Sequence, residues 1–281
     1  MMEKRPLQPG LGVLAESIEI EAWTDFVRAA PPTAVEACGL ALHDDAGAIA
    51  AVAANVDVFM FNRIVGLGIE TDATEASLDS LLAAYRDAAG RRYFVQLSPA
   101  ARPPELTEWL RDRGLARYNG WAKLIYRRDT TTPPRLAADL VVERIGPDRA
   151  GDFAGIVCAA FDWPPSILPW VGALVGRQRW SHYLAFADGE AVATGAVFIR
   201  DDVAWLGFAA TAPSFRRRGA QSALIARRMG EALEAGCRTI VSETAEDLRD
   251  RPAPSFRNLR RLGFESLYIR PNYANVPAPV R

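Results

Sequence analysis

The segment from Arg216 to Ser222 reads Arg-Arg-Arg-Gly-Ala-Gln-Ser and combines three guanidinium groups with small side chains. An apolar run typical of a strand precedes it, and a long run with helical spacing follows it. The first turn of a helix has N–H groups without intrahelical acceptors and carries partial positive charge, which suits an anion. Arginines at that end cost about 0.3–1 kcal/mol each unless an anion offsets them. The segment therefore predicts a pyrophosphate site.

The first half of the chain offers a contrast at the corresponding place. There the sequence is Asp72-Ala73-Thr74-Glu75, which is typical of a capping box. Its own carboxylates would satisfy the helix N–H groups and repel phosphate, so we expect only the second half to bind the anion. The alternative for the three arginines is a solvated charge cluster at a helix start.

The second half is predicted to alternate strands and helices. Asp188-Gly189 lies between two apolar runs and is a strong hairpin signal, and Gly236 is typical of a left-handed helix end. The predicted strands are Leu140–Ile145, His182–Ala187, Ala191–Arg200, Val203–Ala210, Arg238–Glu243 and Phe264–Arg270. The predicted helices are Ala150–Phe161, Ile167–Val175, Gly219–Ala235 and Ser255–Leu262. A meander followed by a strand–helix–strand crossover predicts an α/β sheet of mixed direction.

The first half repeats the last part of this order. Its predicted elements are strands at Arg63–Glu70, Tyr93–Ser98 and Gly120–Arg127, with helices at Ala73–Ala89, which Gly90 closes, and Glu105–Arg113. The likeness of Leu67-Gly68-Ile69 to Leu206-Gly207-Phe208 supports an internal duplication. The polar stretch Arg127–Arg135 contains two prolines and is predicted to be an extended linker. We therefore predict two domains, residues 1–130 and 139–275.

The arginine loop resembles a known motif. Residues 213–224 look like the acyl-CoA loop of the GNAT acetyltransferase superfamily, which usually reads Arg/Gln-x-x-Gly-x-Gly/Ala. Arg216 takes the first place and Gly219 the second, while Gln221 stands where Gly or Ala is usual. Leu262-Gly263-Phe264 also resembles the closing element of this family. The resemblance covers residues 139–275, and the first half resembles a degenerate copy without the phosphate loop.

The resemblance implies an α/β fold of two GNAT-like domains, with mixed, mostly antiparallel central sheets flanked by helices. It implies acetyl-CoA as the co-substrate, without a metal, and transfer of an acetyl group to an amine. The residues that we assign to the acyl-CoA site are Phe208, Ala209, Ala210, Arg216, Arg217, Arg218, Gly219, Ala220, Gln221, Ser222 and Asn258. The alternative for Asn258 is a surface or capping amide.

The catalytic groups are less defined by the sequence. The family often uses a tyrosine as the acid on the helix before Gly-Phe, and here the position four before Gly263 is Leu259. Tyr273 is then the first candidate for the acid and Tyr268 the second, although Tyr268 could equally be a half-buried strand aromatic. Glu243 is the candidate base. Its alternative is a solvated carboxylate at a strand end, and deprotonation through water needs no such residue.

Tryptophans suggest the character of the acceptor pocket. Trp163, Trp170, Trp180 and Trp205 point to an apolar pocket in the second half, with the hydrophobic core as the alternative.

Composition sets the remaining expectations. The net charge of -1 and the 49% of apolar residues are typical of a globular protein without a global attraction to nucleic acid or membrane. Two histidines exclude a histidine-rich metal site, and three scattered cysteines favour reduced thiols. The charged first residues are not a secretory signal and no stretch approaches a membrane span, so we expect a cytoplasmic protein. A homodimer is left open.

Three functions compete at this stage. The leading hypothesis is an acyl-CoA-dependent N-acetyltransferase that acts on a small primary amine or on an amino group of a larger partner. The second is a CoA-binding or regulatory module without chemistry, in which the missing helix tyrosine reflects lost catalysis. Binding of nucleic acid by the arginines is the third, and the lack of aromatic residues interleaved with them argues against it.

Overall fold

A single mixed sheet of eleven strands runs through the computed structural model, which describes residues 9–86, 92–128 and 140–276. The strands are β1 (Leu40–Asp45), β2 (Ala48–Ala53), β3 (Arg63–Val65), β4 (Phe94–Gln96), β5 (Ala116–Arg127), β6 (Val141–Ile145), β7 (Trp180–Ala187), β8 (Glu190–Arg200), β9 (Val203–Thr211), β10 (Thr239–Ala245) and β11 (Glu265–Ala274). Their order in the sheet is β1-β2-β3-β4-β11-β5-β10-β9-β8-β7-β6. The α/β class and the mixed, mostly antiparallel sheet are confirmed.

Helices flank this sheet on both faces. They are α1 (Pro9–Arg28), α2 (Pro32–Cys38), α3 (Glu75–Ala83), α4 (Leu106–Asp112), α5 (Ala150–Phe161), α6 (Leu168–Gly172), α7 (Ala220–Glu234) and α8 (Pro254–Arg261). None of the helices in the described ranges is both long enough and apolar enough to cross a bilayer. The sequence analysis predicts no helix or strand before Arg63. The structure adds α1, α2, β1 and β2 to the predicted elements.

The two halves have the same pattern of strand directions. In the first half β1, β2 and β3 are antiparallel neighbours, and β3 then pairs with β4 in parallel. In the second half β7, β8 and β9 are antiparallel neighbours, and β9 pairs with β10 in parallel. A helix connects each parallel pair, α3 in the first half and α7 in the second, as parallel strands require.

Each half completes its sheet with the last strand of the other. β5, from the first half, pairs with β10, whereas β11, from the end of the chain, pairs with β4. The two exchanged strands also pair with each other along most of their length. The halves are therefore joined by backbone hydrogen bonds at the centre of the sheet. Most of the predicted linker, residues 129–135, lies outside the described residues, and so does Gly90. Arg127, where the linker is predicted to begin, is the last residue of β5.

One face of the sheet carries a core that both halves share. Helix α1 lies there with α5 and α6, and its buried Trp23 and Phe26 pack in the same cluster as Trp205 of β9. The other face has two separate cores. In the second half α7 and α8 cover Leu206 and its neighbours, and in the first half α3 and α4 pack around Tyr273. The N-terminal helix thus packs against both halves.

Two local predictions in the first half are wrong in detail. The strand that begins at Arg63 ends at Val65 rather than Glu70, because Gly66 and Gly68 have positive φ angles and turn the chain. The start of α3 is capped as expected, but hydroxyl groups form the capping box, between Thr74 and Ser77, and carboxylates do not. The Ser77 N–H in the first turn of α3 is therefore already satisfied.

Asp25 of α1 fastens the N-terminal helix to the second half. Its carboxylate accepts hydrogen bonds from Arg177 Nη2 at 2.5 Å and from Trp180 Nε1 at 2.7 Å. Burial alone raises the pKa of Asp25, but the hydrogen bonds from Arg177 and Trp180 outweigh it and hold that pKa below its usual value. The folded chain thus favours the ionised carboxylate.

We predict that Asp25→Asn lowers the free energy of unfolding by about 1–3 kcal/mol at pH 7. Because the pKa of Asp25 is lower in the folded chain, its contribution is present above the unfolded pKa of about 3.9 and is lost as pH falls through the folded value. Urea denaturation at pH 7 and pH 3, with the exposed Asp188→Asn as control, checks this. If Asp25→Asn lowers the free energy of unfolding by the same amount at both pH values, the prediction is wrong.

Candidate active site

A gap in the sheet is the basis of the site. The parallel strands β9 and β10 pair only from Val203 to Leu206 and from Thr239 to Ser242. Beyond that point β10 continues beside β5 as far as Ala245, while β9 continues beside β8. The backbone that follows Leu206 therefore has no strand partner on its β10 side, and the two strands separate like the arms of a V.

β9 carries an irregularity at this gap. The pairing with β8 shifts register between Thr194 and Ala196, because β9 has one residue more than β8 in the stretch around Phe208. Phe208 has a left-handed φ of 50°, a conformation that costs energy for a residue with a bulky side chain. Thr194 Oγ1 donates to the Phe208 carbonyl oxygen at 2.9 Å and holds this bulge in place. The bulge therefore lies where β9 parts from β10.

The arginine loop lies at the start of α7, as predicted. Gly219 is the N-cap residue with a φ of 85°, and no side chain caps this helix. Arg217 also has a left-handed φ of 65°. Arg216, Arg217 and Arg218 are exposed, and within the described residues none of them forms an ion pair. Unlike the start of α3, this helix end therefore presents free N–H groups beside uncompensated positive charge.

Gln221 stabilises the loop from inside. Its Nε2 atom donates to the carbonyl oxygen of Ala210 at 2.8 Å and to Thr211 Oγ1 at 3.0 Å, and lies 3.3 Å from the carbonyl oxygen of Thr194. The side chain therefore points at the sheet and ties the first turn of α7 to β8 and β9. This contact explains how a large residue is accommodated where the family motif usually has Gly or Ala.

A cavity of about 410 Å³ passes through the gap. Leu206 and Ile225 line it on the side of α7 and α8, while Trp205 lines it on the side of α1. Its described lining residues are Trp23, Met60, Trp121, Phe161, Trp163, Trp205, Leu206, Gly207, Phe208, Ala209, Gln221, Ile225, Arg228, Ser242, Glu243, Thr244, Ala245, Ser255, Asn258 and Leu259. The opening between the strands thus connects the two faces of the sheet.

Arg228 supplies positive charge on the α7 side of the cavity. Its guanidinium is buried, and it donates from Nε to the Leu224 carbonyl and from Nη1 to the carbonyls of Ala196 and Gly207. No carboxylate in the described part of the chain pairs with it. Burial lowers the pKa of Arg228 to about 9, so the group stays charged at neutral pH. A Cβ atom at Gly195 would lie 2.7 Å from this guanidinium, so only glycine fits there.

Glu243 supplies negative charge on the α1 side, and its side chain is 8% exposed. It belongs to a buried cluster that draws on both halves and has equal numbers of acids and bases. Burial raises the pKa of Glu243, with Glu19 acting in the same direction and Arg270 and Lys123 opposing. The members of the cluster are Glu16, Glu19, Arg63, Lys123, Glu243 and Arg270.

The exchanged strands bring two cations of this cluster to Glu243. Lys123 of β5 and Arg270 of β11 both hydrogen-bond to Oε2 of Glu243, and both also hydrogen-bond to Glu19 of α1. Burial alone raises the pKa of Glu19, but the charges of Arg270, Lys123 and Arg63 lower it far below its usual range. Glu19 therefore stays ionised, and Glu243 is the cluster member that lines the cavity.

The two predicted tyrosines do not reach the cavity. Tyr273 is buried in the first-half core, so the hypothesis that it is the acid has no geometric support. Tyr268 donates a hydrogen bond from its hydroxyl to Glu16 Oε1 at 2.5 Å, and burial and this glutamate raise its pKa well above the usual value. Of the three residues predicted to be catalytic, the structure brings only Glu243 to the cavity.

The predicted acyl-CoA residues divide in a similar way. Phe208, Ala209, Gln221 and Asn258 line the cavity, and the arginine loop lies beside it at the start of α7. Ala210 is buried and contributes its carbonyl oxygen to the contact with Gln221. Within the described residues, no group of three or more His, Cys, Asp or Glu side chains is arranged to hold a metal ion.

Trp163 and Trp205 line the cavity, whereas Trp170 and Trp180 are core residues. The indole of Trp170 donates to the Phe26 carbonyl at 2.7 Å, and that of Trp180 donates to Asp25. The alternative, a core role, is therefore the correct one for these two tryptophans.

The sequence analysis missed the contribution of the first half. Trp23, Met60 and Trp121 line the cavity, and all three precede the predicted domain boundary. One signal was available. Glu16 and Glu19 are one turn apart in an apolar stretch, and Lys123 lies within an apolar strand. Charges in such positions are rarely buried unless they are paired, so they indicate a buried polar network.

Part of the chain is similar to a known protein family. Residues 158–264 match the model of the acetyltransferase (GNAT) family. This part of the chain is therefore similar to the GNAT acetyltransferase family. Acetyl transfer from an acyl-CoA is the general activity of that family. No curated protein matches the chain by sequence.

Solved structures show that the GNAT fold extends over most of the chain. A GCN5-related N-acetyltransferase from Kribbella flavida is 18% identical with a TM-score of 0.64, over 94% of this chain and 96% of that one. A tandem GNAT protein from the clavulanic acid biosynthesis pathway is 17% identical with a TM-score of 0.60, over 92% of this chain and 96% of that one. At these identities the likeness is one of fold, and it is consistent with two GNAT-like domains.

We predict that Lys123→Met lowers the free energy of unfolding by about 3–5 kcal/mol, because it leaves an uncompensated carboxylate in the buried cluster. Adding Glu19→Gln removes that excess charge and recovers part of the loss. A double-mutant cycle by urea denaturation measures the coupling. Losses that simply add in the double variant contradict a coupled cluster.

Proposed function

We propose that the protein transfers an acetyl group from acetyl-CoA to a primary amine, and that the transfer occurs in the gap between β9 and β10. One observation carries the proposal: the cavity connects the first turn of α7, beside three exposed arginines, with the carboxylate of Glu243 on the opposite face of the sheet. A phosphate-bearing donor and a basic acceptor can therefore approach each other from opposite sides.

The residues of the chain fit acetyl-CoA. The uncapped N–H groups that follow Gly219 and the guanidiniums of Arg216–Arg218 would hold the pyrophosphate. Nothing lies within 4 Å of a Cβ atom placed at Gly219, so the backbone is open to a ligand there. The acyl arm would lie along Gly207–Ala209, with Asn258 of α8 across the cavity. Backbone N–H groups at the bulge are suited to polarise the thioester carbonyl.

The chemistry requires one base and one proton donor. When bound, acetyl-CoA supplies the acetyl group: the amine nitrogen forms the new C–N bond, the C–S bond breaks, and of the two protons that an ammonium loses one goes to the CoA thiolate and one to solvent. Glu243 would accept a proton from the amine directly or through water, and its raised pKa brings it closer to neutral pH. Cys158 and Cys237 are unsuited to a thiol mechanism, since burial raises each thiol pKa to about 11.

Arg228 takes a role that the sequence resemblance leaves vacant. The position of the usual tyrosine is Leu259, which lines the cavity with a hydrocarbon side chain. Arg228 lines the same side of the cavity and carries a buried positive charge without a carboxylate partner among the described residues. We propose that this charge stabilises the departing thiolate until a proton arrives from water.

A CoA-binding module without chemistry is the second candidate. One observation favours it: the described lining of the cavity contains no tyrosine that could serve as the acid. Release of CoA thiol in the presence of any amine excludes this candidate, whereas tight CoA binding without thiol release over a broad amine panel supports it. Cytoplasmic location, self-association and the boundaries of the two domains remain predictions from the sequence.

We predict that Arg216→Ala combined with Arg218→Ala weakens acetyl-CoA binding by roughly 10- to 100-fold, because two charge-assisted contacts to phosphate are lost. Isothermal titration calorimetry measures the affinity. The control is Arg111→Ala with Arg117→Ala, which removes two exposed arginines and the same charge from the first half. Unchanged affinity in the loop variant rules out the phosphate site.

We predict that Glu243→Gln lowers kcat by roughly 10²- to 10⁴-fold and leaves the affinity for acetyl-CoA unchanged. The base must be ionised, so kcat of the wild-type protein rises with pH through the raised pKa of Glu243, and this limb disappears in the variant. Thiol release from pH 5 to pH 9 measures both effects. Glu246→Gln, which lies outside the cavity, is the matched control. An unaltered pH profile in Glu243→Gln counts against its role as base.

A further inference from the structure

The first half forms one wall of the acceptor side of the cavity. Trp23 comes from α1, Met60 from the single turn before β3, and Trp121 from the exchanged strand β5. All three lie on the face of the sheet opposite α7, as does Glu243. If the proposed function is correct, the acceptor must therefore contact the first half before it reaches the thioester.

The second half closes the same space with more rings. Phe161, the last residue of α5, and Trp163 just after it stack on each other, with their ring centroids 5.0 Å apart. Phe161 is 48% exposed, which is unusual for a large apolar side chain and places it at the mouth. Phe208 stands at the bulge, with its centroid 6.4 Å from the Trp23 ring. Flat apolar surfaces thus surround the acceptor side.

These walls are held in place from behind. The guanidinium of Arg63 lies 3.6 Å from the Trp23 ring centroid and 5.8 Å from that of Trp121. Arg63 is itself fixed in the ion cluster by Glu19 and by a hydrogen bond from its Nη1 to Gln96 Oε1 at 2.7 Å. Both tryptophans therefore occupy fixed positions before any ligand arrives, which lowers the entropic cost of binding a rigid group.

Charge restricts the ligand further. Among the described lining residues, Glu243 has the only carboxylate, and it faces the aromatic surfaces rather than the arginine loop. A single ammonium can be held by this carboxylate and by indole faces together. A polyamine or an aminosugar with several ammonium groups would bury charges for which the described lining has no partner.

We infer that the acceptor is a primary amine attached to an aryl group by a short chain, and that aromatic side chains of both halves determine this specificity. The aryl group packs between Trp23, Trp121 and Trp163, and the nitrogen lies at Glu243 beside the gap. This inference rests on the proposed function, because it names the acceptor of that same site.

The test compares two amines that share a two-carbon chain, one with a ring and one without it, and adds two amines with longer chains. Thiol release from acetyl-CoA is measured with 2-phenylethylamine, ethanolamine, spermidine and Nα-acetyl-lysine amide. We expect kcat/KM for 2-phenylethylamine to exceed that for ethanolamine by roughly 30- to 100-fold, since burial of the ring is lost in ethanolamine. A kcat/KM for any of the other three amines that equals or exceeds that for 2-phenylethylamine overturns the inference. Tight acetyl-CoA binding in the same samples would still support the proposed phosphate site.

Variants locate the preference in the aromatic walls. Trp23→Leu and Trp163→Leu should each reduce the preference for 2-phenylethylamine at least tenfold, with little change for ethanolamine, whereas Trp109→Leu on α4, outside the cavity, should leave it unchanged. Trp163 is only half-buried, so its replacement keeps the test valid if Trp23→Leu fails to fold.

If no amine is acetylated, calorimetric titration of 2-phenylethylamine into the CoA complex decides the inference separately. Binding of 2-phenylethylamine that is weakened in Trp163→Leu supports the inference and assigns the failure to the chemistry. Lack of binding, or binding that does not change in this variant, overturns it.

Discussion

The separation of β9 from β10 is the constraint on which the rest of the structure depends. Two parallel strands that part after four paired residues leave backbone polar groups without partners inside a protein, and such groups are costly unless something satisfies them. Here side chains take up the carbonyl groups of β9: Thr194 binds the carbonyl of Phe208, Gln221 that of Ala210, and Arg228 that of Gly207. The gap is therefore maintained by the fold.

The exchange of last strands connects this gap to the whole chain. Because β5 lies beside β10 and β11 lies beside β5, the side chains of Lys123 and Arg270 reach Glu243 from strands of different halves. The helix α1 adds Glu16 and Glu19 from above the sheet. Buried ion pairs of this kind contribute little net stability compared with apolar residues, but they fix positions. Their effect here is to hold one carboxylate at the opening.

Much of the second half follows from local signals in the sequence. The turn at Asp188-Gly189, the left-handed glycine at Gly236 and the small residues after the arginines each have a local physical cause, and the corresponding elements are where they were expected. The loop is recognisable because cations at a helix start conflict with the helix dipole. Such a conflict is typical of a functional position.

The features that the sequence analysis did not predict correctly depend on long-range topology. Tyr273 follows a predicted strand, and no local signal excludes it from the site. However, β11 pairs with β4 and buries the Tyr273 ring in the first half. Likewise, Trp23 and Trp121 could not be placed at the cavity before the exchange of strands was known. Local periodicity identifies elements, but it does not state which half of a duplicated chain a strand joins.

The most direct measurement is a crystal structure of the protein with CoA and 2-phenylethylamine. The account predicts the pyrophosphate at the N–H groups after Gly219, the thiol in the gap beside Phe208, and the amine nitrogen within hydrogen-bonding reach of Glu243 or of a water that it binds. A structure in which CoA occupies another surface, or in which the thiol does not enter the gap between β9 and β10, would contradict it.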